Sequence, residues 1–236
     1  MRAVLLEAPE MDARGHMALD EALLDAGGPG ALILRFFRWK SAPGSPPAAT
    51  FGYFQRYKDV EESARRLGPE RPFELVRRLT GGGLVHHDGD ITFSLVFPWG
   101  RLESASWVYK NLHRGVHLGL KSRGLKAHLW SPSSKSPAPS LACFAAPVAM
   151  DLVREDGSKC LGGALRRRNG VGLYQGSLRP EGFQASREAL VQAIEKGIGQ
   201  EWGVSFRKEA AGEAVLSAAA RLREERYGSD EWNRRR

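Results

Sequence analysis

The sequence has few cysteines and no long apolar run, and both shortages exclude classes of protein. Its 236 residues include only two cysteines, too few for a disulfide framework or a structural zinc site. No apolar stretch approaches the roughly 20 residues of a membrane-spanning helix. The first ten residues lack a basic patch followed by an apolar core, so we predict no secretory signal. Together these absences predict a cytoplasmic protein with no membrane partner.

Acidic residues are outnumbered, with 35 Lys and Arg against 27 Asp and Glu, which gives a net charge of +8. Such an excess favours an acidic partner, whether a nucleic acid, a nucleotide or an acidic protein. No helix-turn-helix, zinc-finger or aromatic RNA-binding pattern is present, so we predict no nucleic-acid partner. Because three arginines follow one another at Arg234-Arg235-Arg236, we expect residues 229–236 to be a basic, solvated tail after a catalytic domain of residues 1–228.

Helical and strand patterns alternate along the chain. Strands are predicted at residues 31–37, 50–54, 73–79, 91–97, 125–130, 148–153, 159–166 and 171–178. Helices are predicted at residues 16–25, 57–67, 103–122, 186–198 and 209–227. Asp156-Gly157 and Asn169-Gly170 are typical hairpin turns, and residues 131–140, rich in Ser and Pro, predict a loop. We therefore predict a single α+β domain whose mixed, mostly antiparallel sheet is packed with helices.

The strongest local signal is the segment Arg77-Arg78-Leu79-Thr80-Gly81-Gly82-Gly83-Leu84-Val85-His86-His87. Three consecutive glycines have a high backbone entropy cost, which suits a loop whose N–H groups approach an anion closely. Arg78 would add a planar fork for a phosphate or carboxylate. His86 and His87 face opposite sides of an extended chain, so only one of them can serve the loop. These features favour a ligand loop over a flexible turn, although no Gly-Lys-Ser/Thr follows to make it a P-loop.

Lys159 begins a strand whose following residues, Gly162-Gly163-Ala164, are small. Small residues leave room for a ligand to lie across the strand, and a lysine would place a point charge there. Taken alone, the pattern fits equally well an exposed lysine after an Asp-Gly-Ser turn.

Cys143 lies beside the predicted loop and outside any periodic strand. Free cysteines are usually small buried side chains, but a loop cysteine near a cation can act as a nucleophile. Cys160 alternates within a strand, so we predict a structural role for it. His113 and His117 have a spacing that would suit a metal, but no His-Glu-x-x-His pattern accompanies them, and we predict no metal site.

Five motifs, in this order, resemble those of the biotin/lipoate protein ligase and transferase superfamily, most closely the branch of lipoate–protein ligase A and lipoyl octanoyltransferases. The motifs are Arg35-Phe36-Phe37-Arg38-Trp39, Phe51-Gly52-Tyr53-Phe54-Gln55, Arg77 to His87, Lys159-Cys160-Leu161-Gly162-Gly163-Ala164 and Gly176-Ser177. The resemblance implies the fold of these ligases and a set of substrate-binding residues. That set is Arg78, Gly81, Gly82, Gly83, Leu84, Val85, His87, Gly162, Gly163, Ala164 and Gly176. The chain departs from the family where Gly163 and Gln175 stand in place of a frequent Ser and His.

The resemblance leaves two chemistries to compare. A transferase would move octanoyl from acyl carrier protein through a cysteine thioester to a lysine of an apo lipoyl domain or a glycine-cleavage H-type protein, without a cofactor. A ligase would use ATP and Mg²⁺ to form lipoyl-adenylate. Cys143-Phe144-Ala145-Ala146-Pro147 resembles the cysteine loop of the transferases, so we predict an octanoyltransferase with Cys143 and Lys159 as catalytic residues. A non-catalytic acyl-binding protein is the remaining alternative.

Overall fold

The computed structural model describes residues 1–27, 30–40, 46–67, 73–131 and 142–236, so the predicted loop at 131–140 lies outside the described residues except for Ser131. The helices are α1 (Ala13–Ala26), α2 (Tyr57–Leu67), α3 (Ala105–Lys121), α4 (Arg187–Trp202), α5 (Glu213–Leu222) and α6 (Asp230–Asn233). The strands are β1 (Arg2–Glu7), β2 (Ala31–Phe36), β3 (Ala48–Phe51), β4 (Glu74–Arg77), β5 (Val85–His86), β6 (Ile91–Pro98), β7 (His128–Leu129), β8 (Leu152–Val153), β9 (Lys159–Arg168), β10 (Val171–Leu178) and β11 (Arg207–Ala210). None of the described helices is both long and apolar enough to cross a membrane.

Eight strands form one mixed sheet in the order β11-β1-β2-β6-β10-β9-β8-β7. β1 runs parallel to both of its neighbours, β2 and β11, whereas the other adjacent pairs are antiparallel. This mixed, mostly antiparallel sheet confirms the predicted fold class. Asn169 at φ 51° and Gly170 at φ 78° form the predicted two-residue turn between β9 and β10.

Helices cover both faces of this sheet, because its central strands are apolar on both sides. β6 is buried over nearly its whole length, as expected for a strand with both faces covered. One face packs against α3 and α4 in a cluster that includes Phe93, Leu112 and Ile194. The other face packs against α1 and α5 in a cluster that includes Leu19 and Val96. Residues on β9 and β10 are therefore carried by a sheet that is packed from both sides.

Helix α3 is fixed closely against α4. Its N-cap is Ser104, whose side chain accepts a hydrogen bond from the N–H of Trp107. A Cβ at Gly119 would lie 1.8 Å from the carbonyl oxygen of Ala193 on α4, so only glycine allows this approach. The same helix carries Tyr109, a residue of the candidate site described below.

A second, smaller sheet in the order β4-β3-β5 supports the segment that leads into the three glycines. Arg77, at the end of β4, is fully buried. Its guanidinium donates to the carbonyl oxygens of Tyr53 at 2.9 Å, Gln55 at 2.7 Å and Asn233 at 2.9 Å. The chain before the glycines is therefore tied to two distant segments.

Residues 229–236, which we expected to be a solvated tail, instead fold onto the domain. Asn233 of α6 is buried, and its side-chain oxygen accepts from the backbone N–H of Arg77 at 2.9 Å. The carbonyl oxygen of Arg236 accepts from the N–H of Tyr57 at 2.9 Å. The prediction of a solvated tail rested on a local run of arginines. A local charge pattern does not reveal partners that are distant in sequence, such as Arg77.

The single helix predicted over residues 209–227 is wrong. That stretch begins inside β11, which pairs in parallel with β1, and the helix α5 begins only at Glu213. Beyond α5 the chain continues in a π-helical turn at Arg223–Tyr227. The pairing of β11 with a strand at the opposite end of the chain overrides the local helical pattern.

Candidate active site

A pocket lies between β9, β10 and the loop of Gly81–Gly83, which we call the glycine loop. Its lining residues are Met17, Phe37, Thr50, Arg78, Gly82, Val85, His87, Thr92, Cys143, Gly162, Gly163, Ala164, Gln175, Gly176 and Ser177. This lining includes Cys143 and most of the residues that the sequence predicted to bind substrate. Gly81, Gly83 and Leu84 were also predicted, but they are not among the residues that line this pocket.

Cys143 and Lys159 meet at the wall of this pocket. The Nζ of Lys159 lies 3.6 Å from the Sγ of Cys143. This separation is within hydrogen-bond distance for a sulfur atom. The Lys159 side chain is only 4% exposed, so its ammonium is shielded from bulk water. The pair therefore places the Cys143 sulfur directly beside the Lys159 amino group, at a point shielded from bulk water.

Leu84 positions this cysteine through its backbone. Its carbonyl oxygen accepts from the N–H of Cys143 at 3.0 Å, and Leu84 forms an isolated parallel bridge with Ala142. The Leu84 side chain packs into a core cluster with Phe51 and Val60. Leu84 is thus a residue that holds the cysteine segment in place, whereas the sequence predicted direct substrate contact.

Asp151, which the sequence analysis missed, holds Lys159 from the other side. Its Oδ2 lies 2.8 Å from the Lys159 Nζ, and both side chains are buried. The carboxylate also accepts from the Val148 N–H at 2.7 Å and from the Tyr109 hydroxyl at 2.6 Å. Burial raises the pKa of Tyr109 well above its ordinary value, and Asp151 acts in the same direction, so the hydroxyl remains protonated. The Tyr109 oxygen in turn accepts from the Gly163 N–H at 3.1 Å.

Arg78 fixes the glycine loop with its guanidinium. One terminal nitrogen donates to the carbonyl oxygens of Gly81 at 3.0 Å and Gly83 at 2.9 Å, and the other donates to the Thr50 hydroxyl at 2.9 Å. Burial lowers the pKa of Arg78 to about 10, while the neighbouring Cys143 acts in the opposite direction. No carboxylate pairs with Arg78 within the described ranges. Arg78 therefore adds a second positive charge near the cysteine, but its fork is occupied by the loop.

At two positions in and beside the glycine loop, the structure requires glycine for steric reasons. Gly82 adopts φ 86°, a region that side chains disfavour. A Cβ at Gly52 would lie 2.0 Å from the carbonyl oxygen of Gly82. The glycine of the Phe51-Gly52-Tyr53 motif is therefore needed so that this segment can pack directly against the glycine loop.

His87 faces the pocket within a buried hydrogen-bond network. Its Nε2 lies 2.8 Å from the Thr50 hydroxyl, and its Nδ1 lies 3.1 Å from the Oδ2 of Asp90. The same carboxylate oxygen accepts from the Thr92 and Ser177 hydroxyls at 2.6 Å each. Although burial raises the pKa of Asp90, His87 and the two hydroxyls bring it below its ordinary value. An ionised Asp90 therefore orients His87, and His87 orients Thr50 at the pocket.

Gln175 stands where the family often has a histidine, and both ends of its amide are engaged. Its nitrogen donates to Asp20 at 2.6 Å, and its oxygen accepts from the Thr80 hydroxyl at 2.6 Å. Asp20 forms a fully buried ion pair with Arg35 at 2.7 Å. An amide has no titratable proton, so this position supplies hydrogen bonds and no acid–base catalysis. The sequence analysis missed both members of the ion pair as parts of the site.

Glycines on β9 leave room for other side chains of the site. A Cβ at Gly162 would lie 2.6 Å from the Lys159 Nζ, and a Cβ at Gly163 would lie 2.4 Å from the ring of Tyr174. The Tyr174 hydroxyl is 2.8 Å from the Nε2 of His113. Burial lowers the pKa of His113 to about 3, so this histidine is neutral. Within the part of the chain that is described, no group of three or more His, Cys, Asp or Glu could hold a metal ion.

One cysteine and one histidine of the predicted motifs, Cys160 and His86, are not among the residues that line the pocket. Cys160 is fully buried, its thiol donates to the Leu152 carbonyl at 3.4 Å, and burial raises its pKa to about 11. The ring of His86 packs 4.4 Å from the ring of Phe73, on the side opposite to His87. Cys160 is therefore a packing residue, as predicted, and only one of the adjacent histidines reaches the pocket.

Residues 12–211 match the lipoyl protein ligase A/B catalytic domain, a span of well over half the chain. The chain belongs to this family. The octanoyltransferase LipM of Lysinibacillus sphaericus is 30% identical over an alignment 268 positions long, covering 92% of this chain and 93% of that protein. The octanoyltransferase LipM of Staphylococcus epidermidis is 35% identical over 175 residues, which span 69% of this chain and 60% of that protein. The family predicted from the motifs is confirmed.

Solved structures of lipoyl ligases share the fold of this chain. A lipoate-protein ligase A bound with ATP superposes with a TM-score of 0.77 at 24% identity, over 99% of this chain and 98% of that one. A Thermoplasma acidophilum protein with bound lipoic acid gives a TM-score of 0.81 at 24% identity, over 100% of both chains. The likeness establishes that this member of the family has the lipoate ligase fold.

Proposed function

We propose that this member of the family is an octanoyltransferase that carries the octanoyl group as a thioester on Cys143. The observation that carries the proposal is the 3.6 Å approach of the Lys159 Nζ to the Cys143 Sγ at the wall of the pocket. A relative that aligns over nearly its whole length is named as an octanoyltransferase. A cysteine beside a fixed cation is the arrangement that nucleophilic catalysis by sulfur requires.

The first half-reaction moves the acyl group from a carrier to the enzyme. The Cys143 thiolate attacks the carbonyl carbon of octanoyl-acyl carrier protein. A new C–S bond forms on Cys143, the C–S bond to the carrier breaks, and the carrier sulfur takes up the proton that Cys143 gave up. One thioester replaces another, so this step has little net free-energy change and needs neither ATP nor Mg²⁺.

The second half-reaction moves the acyl group to an acceptor lysine on an apo lipoyl domain or a glycine-cleavage H-type protein. The neutral amine attacks the thioester carbonyl, a C–N bond forms and the C–S bond to Cys143 breaks. The proton lost by the amine balances the thiolate that leaves. An amide is more stable than a thioester, so this step runs downhill.

Two cations serve both steps. Lys159 stabilises the thiolate and the oxyanion that develops on the carbonyl, an effect that is strong in a site shielded from water. Asp151 keeps the Lys159 ammonium in place at 2.8 Å, and Tyr109 keeps Asp151 in place at 2.6 Å. Arg78 is buried and has no carboxylate partner among the described residues. It adds positive charge to the pocket beside the glycine loop.

The competing ligase reaction would need a phosphate site, and the glycine loop offers a poor one. Arg78 donates to the carbonyl oxygens of Gly81 and Gly83, so its fork is not free for a phosphate. This arrangement supports the thioester exchange that we propose, which uses neither ATP nor Mg²⁺.

The test is the intact mass of the enzyme after mixing with octanoyl-acyl carrier protein, with and without ATP. We expect one octanoyl adduct that is independent of ATP, is absent in Cys143→Ser and is retained in the matched control Cys160→Ser. An unmodified wild-type enzyme would overturn the proposal. Lipoate-dependent exchange of pyrophosphate into ATP that survives Cys143→Ala would favour the ligase.

A further inference from the structure

A basic and aromatic surface adjoins the glycine loop on its outer side. We call it the arginine patch, and its members are Tyr53, Phe54, Arg56, Arg166, Arg235 and Arg236. The guanidinium of Arg235 lies 3.7 Å from the ring centroid of Tyr53, and that of Arg166 lies 5.1 Å from the same centroid. The guanidinium of Arg236 lies 5.6 Å from the ring of Phe54. Stacking on these rings restrains the arginines before any partner arrives, which lowers the entropy cost of binding.

Within the patch, only Arg56 has a carboxylate partner among the described residues, the exposed Asp59, whose Oδ2 lies 4.0 Å away. In the ranges that the structure describes, no carboxylate lies within 4.0 Å of Arg166, Arg235 or Arg236. A hydrogen bond from Arg235, together with the charges of Arg166 and Arg236, lowers the pKa of Tyr53. The unpaired arginines and the lowered pKa of Tyr53 both indicate a concentrated positive potential, which would attract an acidic surface.

The patch lies beside the pocket. Arg166 and Ala164 are two residues apart on β9, so they share a face of that strand, and Ala164 lines the pocket. The Tyr53 N–H donates to the Thr80 carbonyl at 2.8 Å, immediately before the glycine loop. A protein that docks on the patch is thus held next to the pocket that Cys143 lines.

We propose that the arginine patch docks the acyl carrier protein that donates the octanoyl group. This proposal rests on the proposed function and adds to it the surface that selects the donor. Carrier domains of this kind are acidic, so their charge complements the patch. Phe54 is 66% exposed among the arginines and offers an apolar anchor of the type found at the centre of interfaces.

The position of the patch favours the donor over the acceptor. The donor carries its acyl group on a long, flexible arm, so it can dock to one side of the opening and still reach Cys143. An acceptor lysine has only its own short side chain, so a lipoyl domain has to sit over the opening itself. The patch includes Arg166, two residues beyond Ala164, which is the last residue of β9 that lines the pocket.

The test compares two acyl donors on one variant. Arg56→Glu/Arg236→Glu reverses two exposed charges of the patch. At low ionic strength, we expect kcat/KM for acylation of Cys143 by octanoyl-acyl carrier protein to fall about tenfold or more, as charge reversal does at steered interfaces. Acylation by the uncharged thioester octanoyl-N-acetylcysteamine should change by less than about twofold, because it needs no docking surface and so reports an intact site. Phe54→Ala should weaken only the reaction with the carrier protein.

The matched control is Lys121→Glu/Lys196→Glu, which makes the same charge change on exposed residues of α3 and α4 and should leave both donors unaffected. Equal rates for the patch variant and the wild type with the carrier protein would overturn the proposal. So would a patch variant in which acylation is normal and transfer from the acylated enzyme to an apo lipoyl domain is slowed, since the patch would then serve the acceptor. A wild-type enzyme that reacts with neither donor would instead reject the proposed function, and the docking proposal with it.

Discussion

The two cysteines have the same side chain in opposite surroundings. Cys143 is half-buried at the pocket wall, with the Lys159 ammonium 3.6 Å from its sulfur. Cys160 is fully buried in the apolar cluster between the sheet and α3 and α4, where burial raises its pKa to about 11. A thiol becomes a nucleophile where charge and access favour the thiolate, and a packing group where they do not. The comparison predicts that replacing Cys143 affects activity, whereas replacing Cys160 affects stability.

The largest difference is expected when each cysteine is replaced in turn. Cys143→Ser should lower octanoyl transfer by about 10³-fold or more, because the covalent intermediate is lost. Cys160→Ala should keep transfer within about twofold and should lower the free energy of unfolding by about 1 kcal/mol, as small core truncations do. Transfer assays and urea unfolding measure the two effects. Comparable activity in both variants would break the comparison.

Removing the cation should make Cys143 resemble Cys160. Lys159→Gln should lower kcat by about 10²–10³-fold, the size expected when one electrostatic donor is removed from an active site. It should also lower the free energy of unfolding by about 3 kcal/mol, because Asp151 then keeps a buried charge without its partner. Alkylation by iodoacetamide at pH 7 should slow at Cys143 and stay undetectable at Cys160. Exposed Lys121→Gln is the control, and a Lys159→Gln enzyme with normal kcat would contradict the account.

A smaller change tests whether Lys159 is aimed by the residues behind it. Tyr109→Phe removes the hydroxyl that donates to Asp151 and accepts from the Gly163 N–H. We expect kcat to fall about tenfold with KM unchanged and the free energy of unfolding to fall by about 1–2 kcal/mol, the size of one buried hydrogen bond. Tyr57→Phe is the matched control. If KM rises while kcat holds, Tyr109 contacts the substrate directly and is not a positioning residue.

The smallest effect concerns His113, the buried histidine whose Nε2 lies 2.8 Å from the Tyr174 hydroxyl. Burial lowers the pKa of His113 to about 3, from about 6.5 in the unfolded chain. The unfolded state therefore binds a proton below about pH 6.5 that the folded state refuses, so this stability is present above pH 6.5 and is lost as pH falls towards 3. The free energy of unfolding should fall by about 2 kcal/mol between pH 7.5 and pH 5.0.

Urea unfolding at the two pH values measures this loss in the wild type and in His113→Gln, whose amide preserves a hydrogen-bonding group for Tyr174. The variant should show a shallower dependence on pH, whereas His128→Gln, at an exposed position, should behave as the wild type does. An identical pH dependence in His113→Gln would show that this histidine is already accessible to protons in the folded protein.

The residues that line the site could be predicted from the sequence more readily than the residues that hold them in position. Cys143, Lys159, His87 and the small residues of β9 stand in short segments of unusual composition, and the fold brings them to one pocket. Asp151 and Tyr109 have no such mark. Tyr109 occupies an ordinary aromatic position of a helix, and Asp151 is a single acidic residue just before the short strand β8, so neither residue stands in a pattern that marks it as a neighbour of Lys159.

The same reason limits what could be predicted of the fold. Hairpins such as β9–β10 are encoded by local turn residues, so their bounds agree well with the pattern. β1 and β11 pair across almost the whole chain, and neither strand was predicted. Arg78 was expected to offer a free fork, but the carbonyl oxygens that occupy it are presented only by the folded glycine loop.

The most direct test of the account is the chemical competence of the acylated enzyme. The enzyme is loaded with octanoyl, separated from the donor and mixed with an apo lipoyl domain in the absence of ATP, and both masses are followed through a single turnover. We predict that the octanoyl mass leaves Cys143 and appears on the acceptor lysine at a rate no slower than kcat. An adduct that stays on the enzyme, or one that moves only when ATP and Mg²⁺ are added, would contradict the thioester route.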